Sequence, residues 1–419
     1  MSDDALSTTR AWTPRRHALQ AFGAVLLSIA FASNAAAAPE TRSWDAIAAA
    51  ARGQTVYWNA WAGDERTNAF IAWVGDEVRK RYGVGVQQVN LKDTAEAVTR
   101  VVSEKTAGRD KGGSVDLIWI NGPNFLAMKD KGLLHGPFTH AMPNYRLVDT
   151  ATKRSNVVDF TVPVDGLASP WRLAQIVYVV DSARHRPESL PRSIPALLDW
   201  ARAHPGRLTH PTVRNFLGAT FLKQALHELV PSPEVLQSPA TDANFAATTA
   251  PLWAWYDKLR PTLWRGGREF PESGPAQRQL LNDGEIDMLI SFTPAEAATS
   301  IANKLLPPTV RVFGMANGTI GNTSFVAIPY NAAHKEGAMV VANFLLDPVA
   351  QARQQDPTVL GNATVLDLAK LSDDERALFA PKPGVLGMPA AGEPGRVLLE
   401  PHASWMTRIT EEWEKRYSR

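Results

Sequence analysis

The sequence predicts an α/β fold: open sheets flanked by helices on both faces. Three observations lead there. Short β-rich runs alternate with helical patterns along most of the chain. The run Asp116 to Ile120 (DLIWI) is almost continuously apolar between Gly113 and Asn121-Gly122-Pro123, as a strand buried on both faces should be. And 419 residues, 45% hydrophobic and 21% charged, are enough to fill more than one core.

Gln54 to Trp58 (QTVYW) reads as the first strand, ending in a polar loop from Asn59 to Asp64. Phe70, Ile71, Trp73, Val74, Val78 and Tyr82 then repeat with a helical period. Val84 to Leu91 is a second strand. Asp93-Thr94 followed by Glu96 opens a helix whose apolar face continues to Ala107. After the strand at 116–120 the rhythm resumes with a strand at Gln175 to Val180 (QIVYVV). A helix runs over Ile194 to Ala203 behind Ser193, and a longer one over Asn215 to Leu229. Strands follow at Ile286 to Phe292 and Ser324 to Ile328, then a helix from His334 to Leu346 that stops at Asp347-Pro348. Pro and Gly cluster between Pro261 and Pro275 and between Pro381 and Gly395, which predicts loops.

The first 37 residues read as an export signal: Arg15-Arg16, an uncharged stretch from Ala18 to Ala32, then the small residues Ala35 to Ala38. Cleavage after Ala37 is expected, by a Sec or a twin-arginine route, with the mature chain in the periplasm. No stretch of the mature chain reaches 18 consecutive apolar residues, so no stable membrane insertion is expected. Forty-four Lys+Arg against forty-two Asp+Glu argues against a nucleic-acid partner. With no cysteine there can be no disulfide, thiolate metal site or lipid-modified Cys. No nucleophile elbow, zinc-binding His pair or phosphate loop occurs, so neither a catalytic residue, a metal nor a cofactor is expected.

Three polar-aromatic segments lie beside strands: Trp58 to Asp64, Asn121 to Phe125, and Ser169 to Arg172. In an open α/β sheet ligands bind outside the carboxyl ends of the strands, where the first two fall. Trp58, Trp61 and Trp171 offer flat faces, and Asn59, Asn121 and Asn124 offer both donors and acceptors. Trp119 is expected in the core. Trp264, beside Arg265 and Gly266, is expected to approach from the opposite side of the cleft.

Four segments in order resemble the bacterial ABC-transporter extracellular solute-binding proteins: Gly113 to Trp119; Val162 to Gly166 running on to Val177 to Ser182; Leu281 to Met288; and Ser324 to Pro329 continuing to Leu346-Asp347-Pro348. Within that family the wording NAWAGD, DLIWINGPNF and PWRLAQ is most similar to the Ynj-type branch. The resemblance implies a two-lobed (type II) periplasmic binding protein fold, each lobe a mixed sheet flanked by helices, with a hinge between. Crossings are expected near Trp171 to Gln175 and near Leu289 to Thr293. Lobe one would then be residues 40–174 with 289–350, and lobe two 175–288 with 351–419. It also implies a small solute as ligand and an ABC permease with its ATPase subunits as partners. The expected binding residues are Trp58, Asn59, Trp61, Asp64, Asp93, Asn121, Asn124, Trp171, Arg172, Asn215, Trp264 and Thr293. Two alternatives stay open: an exported hydrolase using carboxylates such as Asp64, Glu272 or Glu296, and a ligand sensor with no transport role.

Overall fold

The computed structural model describes residues 39–382, 384–390 and 392–418. The expected export signal at 1–37 lies outside them. The strands, in chain order, are β1 (Thr55–Trp61), β2 (Gly85–Leu91), β3 (Leu117–Ile120), β4 (Val158–Asp159), β5 (Val162–Pro163), β6 (Ala168–Gln175), β7 (Val177–Asp181), β8 (Met288–Ser291), β9 (Val310–Phe313), β10 (Thr319–Ala327) and β11 (Val397–Leu398). The helices are α1 (Trp44–Ala51), α2 (Glu65–Tyr82), α3 (Ala95–Thr106), α4 (Gly122–Asp130), α5 (Ile194–Ala203), α6 (Phe216–Leu229) and α7 (Phe245–Leu259). They continue with α8 (Gly274–Asn282), α9 (Glu296–Ala302), α10 (Lys335–Leu345), α11 (Pro348–Gln355), α12 (Asp373–Ala377) and α13 (Ala403–Tyr417).

Six strands form one sheet in the order β11-β10-β3-β1-β2, with β6 also paired to β10. β1 runs parallel to β2 and β3, while β10 returns antiparallel to β3 and β6. Parallel pairing needs crossovers, and α2 and α3 provide them. α2 is held at both ends: the Asp64 side chain accepts from the Arg66 N–H, and Gly83 (φ 68°) closes the helix in the left-handed region. A large apolar core with Trp58, Trp171, Phe344 and Val365 packs on this sheet, and a second with Ile118, Phe125 and Phe325 is joined to it.

The chain leaves this sheet at Ile176, whose N–H donates to the Ile320 carbonyl, and enters a three-stranded sheet in the order β8-β7-β9. Both neighbours run antiparallel to β7. A separate core covers it, in which Tyr178, Phe221, Tyr256 and Trp405 come from β7, α6, α7 and α13.

The boundaries expected at 288/289 and 350/351 cut through these units. β8 and β9 hydrogen-bond to β7, so residues 288–313 stay with the smaller sheet. The chain returns between Phe313 and Thr319 instead. Residues 351–379 pack through Leu360, Val365, Leu371 and Phe379 on the core of the larger sheet, whereas α13 packs in the core of the smaller one. The helices expected at 93–107, 194–203, 215–229 and 334–346 match α3, α5, α6 and α10 to within two residues. Ser193 and Asn215 cap α5 and α6 by accepting backbone N–H bonds. But α2 starts five residues before the expected Phe70, and α4 takes up most of the loop expected at 121–125. The end of β1 and the course of β6 were not legible. β1 runs on through Asn59 to Trp61, and Ser169 to Arg172 lie within β6, so two of the three expected loops are largely extended strand.

Candidate functional site

The turns after β1 and β8 meet. Arg66, on the first turn of α2, lies 3.8 Å from Glu296 on the first turn of α9. Arg66 also forks onto Asp64, Nη2 to Oδ2 at 3.0 Å and Nε to Oδ1 at 3.2 Å. Burial pushes the Asp64 carboxyl up, but the Arg66 guanidinium outweighs it and holds the group below the usual carboxylate range. Glu296 is buried and well partnered. It accepts from Arg278 at 3.1 Å, from the Ser291 hydroxyl at 2.8 Å and from the Ser300 hydroxyl at 2.7 Å.

Beside this network stands a chain of indoles set edge to face: Trp58 to Trp171 at 6.0 Å, Trp171 to Trp119 at 5.2 Å, and Trp61 to Trp119 at 6.4 Å between centroids. Its inner end is sealed, since Trp58 and Trp171 are 0% exposed. Its outer end, Trp119 and Trp61, is half-buried. This reverses the expectation that Trp119 would be the core residue and that Trp58 and Trp171 would line a wet wall. Within a strand, residues three apart lie on opposite faces, so Trp58 and Trp61 cannot form one wall.

Trp171 owes its burial to a β-bulge. Pro170 pairs with Phe325 and Arg172 with Ser324, leaving Trp171 as an extra residue in β6. Its carbonyl, lost to the ladder, accepts instead from Gln351 Nε2 at 2.6 Å and Gln354 Nε2 at 2.7 Å. The bulge sets the Arg172 guanidinium over the faces of Trp119 and Trp171, 4.3 and 4.8 Å from the ring centroids.

A second cluster joins the two sheets further along. Phe160, Phe216 and Phe292 come from the β4–β5 turn, the start of α6 and the residue after β8, with centroids 5.9 and 5.4 Å apart. The Lys223 ammonium lies 4.3 Å from the Phe160 ring centre and 2.6 Å from Glu400, both groups buried. Burial lowers the Lys223 pKa, and Glu400 opposes this without cancelling it. Asp159 accepts the Gly122 N–H at 2.6 Å, while its other oxygen is buried without a partner. Burial, aided by Glu400, raises its pKa well above the usual range.

The remaining expected residues divide. Asn121 precedes α4 and Asn124 lies in its first turn, both half-buried. Asn215 caps α6, and the Thr293 N–H donates to the Ser291 hydroxyl. Asn59 is fully buried, its amide donating to the Tyr57 carbonyl. Asp93 is exposed and accepts the Ala95 N–H in the α3 turn. Trp264 donates to Glu285 at 2.8 Å and packs beside Leu281 and Ile286 in the smaller sheet's own core. A cavity of about 320 Å³ opens at the edge of the seam, lined by Arg66, Glu65, Phe70, Asn303 and Arg353. It includes none of the twelve expected residues. Sequence reasoning placed Arg66 among the bases near the cleft without making it a contact, and passed over Arg278, Lys223 and the three phenylalanines. Lys223 alone had a local signal: a charge inside the otherwise apolar run FLGATFLKQAL of α6.

Two α/β sheets joined at their connecting strands, with the turns after β1 and β8 meeting across a seam, make up the two-lobed periplasmic binding protein fold. Solved structures agree on that fold. The Tp0655 (TpPotD) lipoprotein of Treponema pallidum is similar with a TM-score of 0.62 and 13% identity, over 87% of this chain and 100% of that one. A putative spermidine/putrescine ABC transporter from Listeria monocytogenes has a TM-score of 0.60 and 15% identity, over 87% and 98%. The periplasmic binding protein AfuA from Actinobacillus pleuropneumoniae, solved with fructose-6-phosphate, has a TM-score of 0.59 and 13% identity, over 87% and 99%. The chain belongs to the bacterial extracellular solute-binding protein family, whose profile matches residues 73–377. It is 42% identical to Protein YnjB of Escherichia coli (strain K12) over 380 residues, 91% of this chain and 95% of that protein.

Proposed function

We propose that this protein is the periplasmic capture component of an ABC importer. It binds a small solute in the seam between two lobes, undergoes no covalent chemistry, and presents the closed form to a permease driven by ATPase subunits. In this reading lobe one holds residues 39–175 and 319–379, lobe two residues 177–313 and 400–418. The observation that carries it is the meeting of Arg66 with Glu296, which couples the helix starts of the two sheets across the seam. A solute touching both sides favours the closed arrangement by its differential contacts with the two states. The contacts are Trp61, Asp64, Asn121, Asn124, Arg172, Asn215 and Thr293.

The membership of the solute-binding family supports this, as does the fact that no described helix is long and apolar enough to cross a membrane. The test has two arms. Native mass spectrometry of protein purified from the periplasm should show a non-covalent small molecule that is released unchanged. Small-angle scattering should show the particle contract when that molecule is restored to stripped protein. Conversion of the bound molecule to product, or scattering unchanged at saturation, would defeat the reading.

A further inference from the structure

Taking the seam as the binding site proposed above, we infer that the solute is recognised through an oxyanion, a carboxylate or a phosphate-type group, held by Arg172 and Arg66. The side chains around the seam are unbalanced. Three guanidiniums, Arg66, Arg172 and Arg278, face two carboxylates, Asp64 and Glu296, and the carboxylates are already engaged. Asp64 is taken by the fork from Arg66 and by the Arg66 N–H at 3.0 Å. Glu296 is taken by Arg278 and two serine hydroxyls.

Donors are left over. Arg66 Nη1 is buried with no acceptor. A guanidinium has five N–H donors, and Arg172 has only a 3.5 Å contact from Nε to the Ser324 hydroxyl. The faces of Trp119 and Trp171 stabilise its charge but accept none of its in-plane N–H bonds. Leaving a buried charged donor such as Arg66 Nη1 unsatisfied is costly, and an incoming oxyanion relieves that cost. The β-bulge at Trp171 fits the same purpose: it turns Arg172 onto the indoles instead of toward a carboxylate. Burial, with Arg66 nearby, pushes the Arg172 pKa down to about 10, against the opposing pull of Asp64. The group remains cationic at neutral pH and short of counter-charge. The planar fork of a guanidinium matches carboxylate and phosphate geometry, which suits Arg66 and Arg172 to this task.

The experiment uses the mature chain, residues 38–419, stripped of bound solute. Calorimetric titration is carried out with citrate, succinate, glucose 6-phosphate and inorganic phosphate, and with glucose and putrescine as neutral and cationic counterparts. Binding by at least one anion, and by neither glucose nor putrescine, is expected. The carboxylate and phosphate arms identify which oxyanion is preferred. Arg172→Gln should weaken that anion at least 10-fold, and Arg172→Lys, which keeps the charge without the fork, by less. Far-UV circular dichroism and the melting temperature of each variant establish that it is folded. Should Arg172→Gln fail to fold, the mass and charge of the solute co-purified with the wild-type chain decide the matter. A neutral or cationic solute, or anion binding indifferent to Arg172→Gln, overturns this inference and leaves the binding reading standing. No solute on the native protein and no binding by any of the six probes overturns both.

Discussion

Trp171→Ala separates packing from ligand contact in the core of the larger sheet. The indole is 0% exposed and makes three aromatic contacts: edge-on with Trp58 at 6.0 Å, edge-on with Trp119 at 5.2 Å, and stacked on Phe70 at 6.1 Å. Truncating a buried Trp costs about 3–5 kcal/mol through lost transfer energy and the cavity left behind. The aromatic geometry adds about 0.5–1.5 kcal/mol per pair to what area alone would give, so the upper half of that range is expected here. The amides of Gln351 and Gln354 bond the Trp171 carbonyl, so the bulge itself should survive the substitution. With a urea m-value of about 3 kcal/mol/M, a loss of about 4 kcal/mol moves the unfolding midpoint down by about 1.3 M. Far-UV circular dichroism is the appropriate probe, because the fluorescence baseline changes when an indole is removed. Trp61→Ala, at the half-buried end of the same row, should shift the midpoint by less than half as much. If Trp171→Ala unfolds within about 0.3 M of wild type, well inside the shift worked above, yet loses its solute, the ring is a ligand contact and the packing argument fails.

Three further outcomes are expected. His210 is buried between Phe221 and Phe270, and its Nδ1–H donates to the Pro211 carbonyl at 2.7 Å while Nε2 accepts from the Tyr256 hydroxyl at 2.8 Å. Burial depresses its pKa to about 4. A depressed folded value means stability that is present above about pH 6.5 and lost as the pH falls toward 4, on the order of 3 kcal/mol; urea titrations across that window should show a flatter profile for His210→Phe than for wild type. Gly218→Ala should destabilise by about 1–3 kcal/mol despite alanine's better helix propensity, because a Cβ there would lie 2.2 Å from the Pro211 carbonyl oxygen and 2.3 Å from that of Thr212; a melting temperature equal to or above wild type would contradict this. Lys223→Ala strands the buried Glu400 charge and should cost about 3–5 kcal/mol; in a double-mutant cycle, Lys223→Met with Glu400→Gln should recover most of the loss.

Helices were legible because their information is local. Ser193, Asn215, Asp64 and the apolar period that follows each lie within a few residues of one another, and the structure caps α5, α6 and α2 with those residues. The α/β class and the solute-binding family could likewise be read from ordered local patterns. The ends of β2 at Leu91 and β3 at Ile120 were legible too, but the end of β1 was not. WNAW reads as a polar turn, yet pairing with Val89, Asn90 and Leu91 of β2 extends β1 to Trp61, and that partner lies thirty residues away. The same holds for Trp171: its burial follows from a register shift against Phe325 in β10 and from the amides of Gln351 and Gln354, over 150 residues downstream. Strand pairing, bulge position and charge pairing such as Lys223 with Glu400 are long-range relations, and two residues distant in sequence carry no mark of having met. The sequence alone therefore determined which residue types could serve a polar, aromatic site. The tertiary structure decided which of them point inward to hold the core of the larger sheet together and which, Arg172 and Arg66 above all, are left with donors to spare.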